Sequence, residues 1–214
     1  MKPPAMLALA LLAVAPPEVR AVSPDVVISQ VYGGGGNAGA LYTHDFVELF
    51  NRGSATVSLA GWSVQYTSAS GTGNFGATAT QITPLSGSLA PGAYLLIQEA
   101  SNAAVGSPLP APDVTDPSPI NMSGTAGKVA LVNTTTPLGC NGGSTPCPPA
   151  ALATIVDLVG YGGANFFEGA GAAPALSNTT AAFRQADGCT DSDDNSADFS
   201  AGAPSPRNEI GRAS

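Results

Sequence analysis

The chain has 214 residues, with 43% hydrophobic residues to fill a core and only 10% charged ones. Gly 26 and Pro 19 at so low a charge point to short strands and abundant turns rather than long surface helices, which need Glu and Lys on their faces. The net charge of -8 repels phosphate backbones, which excludes non-specific nucleic-acid binding through a basic face and favours cations instead.

Residues 1–21 read as a secretory leader. Lys2 supplies the positive start, residues 5–15 (AMLALALLAVA) a short apolar stretch, and Val19, Arg20 and Ala21 a small-residue cleavage pattern, with cleavage expected after Ala21. Pro16 and Pro17 end the apolar run well short of the ~20 residues needed to span a bilayer, so export is preferred over a membrane anchor. A single domain over residues 22–214, with no transmembrane segment, is the expected mature chain.

Residues 25–32 (DVVISQVY) are rich in β-branched side chains and predict an opening or edge strand. Gly33 to Gly36, with Asn37 and Gly39, predict a flexible loop, since no helix with Lys-Ser or Lys-Thr follows to make a phosphate cradle. Residues 46–50 alternate Phe46, Glu48 and Phe50 against Val47 and Leu49. Turn residues Asn51, Arg52, Gly53 and Ser54 then lead into residues 56–66, where Trp62, Val64 and Tyr66 share a face; together these two stretches predict a hairpin. The expected core anchors are Trp62, the only tryptophan, with Leu49 and Leu59.

Residues 68–78 read as a loop, residues 81–83 as a brief strand, and residues 93–98 (AYLLIQ), after the Pro91-Gly92 turn, as a core strand. Five prolines between residues 108 and 119 exclude a helix or central strand there, so residues 100–124 predict an extended loop across one end of the domain. Strands follow at residues 127–133 (GKVALVN), 155–161 (IVDLVGY) and 178–184 (NTTAAFR), residues 188–199 gather acidic groups, and prolines extend residues 203–208. Around eight short strands with frequent turns predict an all-β sandwich with long loops.

In an exported chain, three cysteines invite pairing. Cys140 and Cys147 bracket a turn-forming NGGSTP segment and are expected to form a disulfide; Cys189 is left as a buried free thiol or a site of intermolecular pairing.

Taken together, several motifs resemble the lamin tail domain family, in its exported bacterial branch. They are Asp45 to Leu49 with Asn51, Leu59 and Gly61-Trp62-Ser63; Leu89 to Ile97; Gly127 to Leu131; Asp157 to Gly162; and Thr190-Asp191 through Asn195, Asp198-Phe199, Pro204 and Pro206-Arg207-Asn208. The resemblance implies an immunoglobulin-like β-sandwich and a non-catalytic module, which in exported relatives often stands beside nuclease, phosphatase or other hydrolase domains. Such relatives often carry a cysteine in the segment matching residues 165–169, able to pair with the one at Cys189; here Phe166 and Phe167 stand in that segment.

No enzyme is expected. The only histidine, His44, lies in a pre-strand turn, and no G-x-S-x-G elbow accompanies it, so a solvated or capping role is preferred over a triad with Asp45. Zinc lacks a C-x-x-C pair or a histidine cluster. Glu48 reads either as a ligand contact or, preferably, as a hydrogen-bonding or solvated side chain. The remaining candidate is a calcium site at Asp191, Asp193, Asn195 and Asp198, oxygen ligands spaced like the first half of a calcium loop. Ser196 and Gly202 stand where an EF-hand needs Gly and Glu, so the competing reading is a solvated acidic turn whose side chains cap backbone N–H groups.

The expected role is therefore a secreted binding or scaffold module whose end loops contact a protein or a surface polymer. The alternative is an accessory domain to an extracellular nuclease or phosphatase system whose catalytic part lies on another chain or was lost. Direct nucleic-acid binding is disfavoured because Arg52, Lys128, Arg184, Arg207 and Arg212 are scattered among acidic residues.

Overall fold

The computed structural model describes Ser23 and residues 25–209; the expected leader and Arg212 lie outside the described residues. In chain order the strands are β1 Val26–Tyr32, β2 Phe46–Asn51, β3 Val57–Ser58, β4 Ser63–Ser68, β5 Ile82–Pro84, β6 Ser88–Leu89, β7 Tyr94–Gln98, β8 Val114–Thr115, β9 Gly127–Val132, β10 Ile155–Tyr161, β11 Ala181–Arg184 and β12 Phe199–Gly202. Two four-residue helices, α1 Pro149–Leu152 and α2 Asn195–Asp198, and two 3-10 turns, Ala79–Gln81 and Ala186–Gly188, complete the regular structure of the described residues. Among the described residues no helix is long and apolar enough to cross a membrane.

The strands form a six-stranded sheet in the order β12-β11-β1-β2-β7-β8 and a four-stranded sheet in the order β10-β9-β4-β5, with β3 and β6 as a separate ribbon. Alternation along each strand builds the core between the two large sheets. Ile28, Val31, Val47, Leu49, Leu95 and Ile97 from the first sheet meet Val64, Tyr66, Val129, Leu131, Val159 and Tyr161 from the second. The result is an immunoglobulin-like β-sandwich.

Two expectations from the sequence are corrected here. The hairpin does not form: β2 pairs with β1 and β7, whereas β4 pairs with β9 and β5 in the opposite sheet. The turn at Leu59, where Trp62 N–H donates to the Leu59 carbonyl at 3.0 Å and Gly61 takes φ +80°, carries the chain from one layer to the other. The first strand is not an edge either, since β1 lies between β11 and β2. Leu49 and Leu59 are fully buried, and Trp62 packs against their cluster from its rim, partly exposed.

The outer face of the six-stranded sheet is covered as well, which is why β1 and β2 are buried along their whole length. Residues 203–209 run across it as a strap. Ser205 and Gln30 exchange hydrogen bonds of 2.9 and 3.0 Å, and the Arg207 guanidinium pairs with Glu48 at 2.9 Å while lying 3.8 Å from the Tyr94 ring centroid. Glu48 thus takes its hydrogen-bonding role, toward the strap rather than toward solvent. Tyr94 in turn stacks on Phe50 at 4.6 Å.

Candidate functional site

One end of the sandwich is built as a rigid platform from three loops: residues 33–45 after β1, residues 99–126 between β7 and β9, and the turn before β11. Two buried carboxylates hold it. Asp45 accepts the Gly35 and Met122 N–H groups at 2.7 and 2.9 Å, and Glu99 accepts the Ile120 N–H and the Thr83 hydroxyl, both at 2.7 Å. Tyr161 and Tyr66 grip the next residue, donating to the Ser123 carbonyl at 2.7 Å and accepting from its N–H at 3.1 Å. Burial pushes Asp45 up to about 7 and Glu99 up to about 8, outweighing the backbone donors that favour the charged forms.

The four successive glycines are what let these loops meet. A Cβ on Gly33 would lie 2.4 Å from the Ser123 carbonyl oxygen, on Gly34 2.7 Å from Asn178 Cα, on Gly35 2.0 Å from the His44 carbonyl carbon and on Gly36 2.4 Å from the Ala103 carbonyl oxygen. The run expected to be a flexible loop is a buried junction in which a different stretch of backbone packs against each glycine.

Across the top of the junction runs a chain of side-chain amides. Asn121 donates to Asn102 at 3.2 Å, Asn102 to Asn37 at 3.0 Å, Asn37 to Asn178 at 3.3 Å, and Asn178 to the Ala38 carbonyl at 3.0 Å. Asn102 and Asn121 are exposed, and Asn37 and Asn178 half-buried. Nothing in the sequence singled out these four residues, because they are spread over three loops and no local motif joins them. The faint signal was that asparagine recurs in every loop at this end.

The acidic turn has a different architecture. Asp191 lies 2.9 Å from Arg184 and 3.1 Å from Arg52. Asp198 accepts the Ser192 N–H and hydroxyl at 2.8 and 2.7 Å. Asn195 stands in for a missing strand at the edge of β10, accepting the Gly160 N–H at 2.8 Å and donating to the Leu158 carbonyl at 2.9 Å. Asp193 takes a left-handed backbone with φ +56°, and Asp194 caps α2 through the Ser196 N–H at 3.0 Å. Of the four residues read as calcium ligands, Asp191 alone joins the carboxylate group identified in the structure, where its oxygens approach those of Asp157 and Glu168 within 4.8 Å.

Arg184 sits in that group and offsets part of its charge. It is buried on β11, donating to both Asp157 oxygens at 2.7 Å and to the Ile28 carbonyl at 3.0 Å. Asp157 also accepts the Ile28 N–H at 2.5 Å. Irregularities in both strands aim these groups at one another, between Ile28 and Gln30 in β1 and between Ile155 and Asp157 in β10. Asp157 and Arg184 therefore clamp the two sheets together. Burial and then the neighbouring Asp157 push Glu168 well above the usual carboxylate range.

The other candidates have local partners. His44 Nδ1 lies 2.9 Å from the Thr43 hydroxyl. Cys140 and Cys147 form the expected disulfide, with Cα atoms 5.0 Å apart. Cys189 is exposed, which corrects its expected burial: it follows a surface turn at Ala186–Gly188 in which Ala186 and Asp187 take positive φ. Each basic residue of the described region has an internal partner, Arg52 and Arg184 as above, Arg207 on Glu48, and Lys128 on the Asn141 carbonyl and the Asn165 amide oxygen, each at 2.8 Å. Burial lowers Lys128 to about 8.

No curated protein matches the chain. Residues 20–162 match the family described as Lamin Tail Domain, a span that includes β1 to β10. The remaining strands complete the sheet beside β1, and the chain belongs to the lamin tail domain family.

Proposed function

We propose that the chain is an exported, non-catalytic binding module of the bacterial lamin-tail type, and that its contact surface is the loop platform beside β1. The observation that carries this reading is the platform itself: long loops fastened from beneath by Asp45, Glu99 and a glycine junction, with small polar residues facing solvent. Rigid loops of this kind lose little conformational entropy when a partner binds. The disulfide fits an oxidising compartment, as export requires.

A photo-crosslinking residue placed at Ala38 tests this in the native host, with a control at Thr135, on the loop leaving the opposite end of β9. Crosslinks confined to Ala38, on a mature chain whose mass begins at Val22, are expected. Equal crosslinking from Thr135, or none from either position, refutes the reading.

A further inference from the structure

We infer that the amide row Asn121–Asn102–Asn37–Asn178 is a binding site for a neutral polyhydroxylated chain, a carbohydrate. This rests on the platform reading above and names its ligand.

The argument begins with hydrogen-bond capacity. An asparagine amide has two N–H donors and two acceptor lone pairs. The row consumes one donor from each of its four members and one acceptor from three, all running in one direction from Asn121 to the Ala38 carbonyl. Exposed Asn102 and Asn121 therefore retain donor and acceptor capacity side by side, the pattern that a hydroxyl group, itself donor and acceptor, matches. Because the amides fix one another, a ligand meets them already oriented.

Charge narrows the class. The carboxylates underneath, Asp45 and Glu99, are buried and occupied by backbone donors, and the four members of the row are neutral amides on a protein of net charge -8. The row itself offers an ionic ligand no counter-charge. A protein partner fits less well, since interfaces rely on aromatic or arginine anchors and are depleted in Ser and Ala, whereas the residues beside the four asparagines in sequence include Ala38, Ala103, Ala104, Ser123, Thr125 and Thr179. Leu41, the exposed large hydrophobic side chain among the described residues at 41%, belongs to the loop that carries Asn37 and is followed by half-buried Tyr42, apolar surface of the kind that the C–H face of a sugar ring would use.

Affinity electrophoresis of the purified chain through gels containing soluble galactomannan, xyloglucan, mixed-linkage β-glucan or, as an anionic control, alginate tests the inference. At least one neutral polymer is expected to retard the chain, with alginate without effect. Asn102→Ala and Asn121→Ala should each weaken retardation ten-fold or more while melting within 2 °C of the parent. Retardation that survives both substitutions overturns the site, and no retardation by any neutral polymer overturns the ligand class. Crosslinking of a protein at Ala38 without any polysaccharide retardation also refutes the carbohydrate inference, yet leaves the binding role standing.

Discussion

Replacing Arg184 by methionine probes the clamp between the sheets. The guanidinium is fully buried and makes five hydrogen-bond contacts, to Asp157 twice, Asp191, Thr190 and Ile28. Methionine keeps much of the volume but leaves Asp157 charged and unpaired in the interior. Breaking a buried pair in this way costs about 3 to 5 kcal/mol, and at about 2 to 4 °C per kcal/mol for a chain of this size the melting temperature should fall by roughly 6 to 20 °C. Urea unfolding followed by circular dichroism reads the change directly. Two internal checks belong to the same experiment. Without Arg184, the buried Asp157 should take up a proton in the folded state more readily than in the unfolded one, so the deficit should narrow as pH falls from about 8 to 5. Adding Asp157→Leu should recover about half of the loss, because replacing both partners by apolar groups removes the unpaired charge, while the Ile28 N–H and carbonyl and the Thr190 carbonyl still lack these side-chain partners and Asp191 keeps only Arg52. A loss below about 1 kcal/mol for Arg184→Met would refute the clamp.

Three further outcomes are expected. Asp45 and Glu99 have folded-state values raised to about 7 and about 8, so their contribution is complete below the unfolded carboxylate range and is lost as pH climbs through 7 to 8; the protein should become more stable between pH 8.5 and 5.5, and Asp45→Asn with Glu99→Gln should flatten that slope. Trp62→Ala should cost about 2 kcal/mol, below the ~3 to 5 of a fully buried tryptophan, while Leu49→Ala, at the centre, should cost about 2 to 5 kcal/mol by the same urea assay. Because Asp191 is held by two arginines and Asp198 by Ser192, chelator should leave the melting temperature unchanged and calcium titration should give no heat; a rise of several degrees with calcium would instead put an ion on the acidic turn.

The glycine run shows where local reading stops. Four glycines in sequence announce permissive backbone, and that much follows from the residue type. That each is pressed against Ser123, Asn178, His44 or Ala103 is a property of loops separated by as many as 144 positions, and it turns an expected flexible loop into a fixed junction. The acidic turn is similar: its oxygen-rich spacing was plain, yet Asn195 serves a strand edge and Asp191 an arginine on β11.

By itself, the sequence determined whatever depends on neighbours along the chain. Period-two alternation placed the main strands, proline density placed the long loop, and the seven-residue spacing of Cys140 and Cys147 gave the disulfide. Only the tertiary structure decided strand partners: the stretch from Phe46 to Tyr66 has the pattern of a hairpin, and it is the need of each strand to bury one apolar face against the opposite layer that sends β2 and β4 into different sheets. The Ile28–Asp157 contact, across 129 positions, and the Asn37–Asn178 contact, across 141, have no local signature, because hydrogen bonds between distant residues are selected by the packing of the two sheets and not by adjacency in the chain.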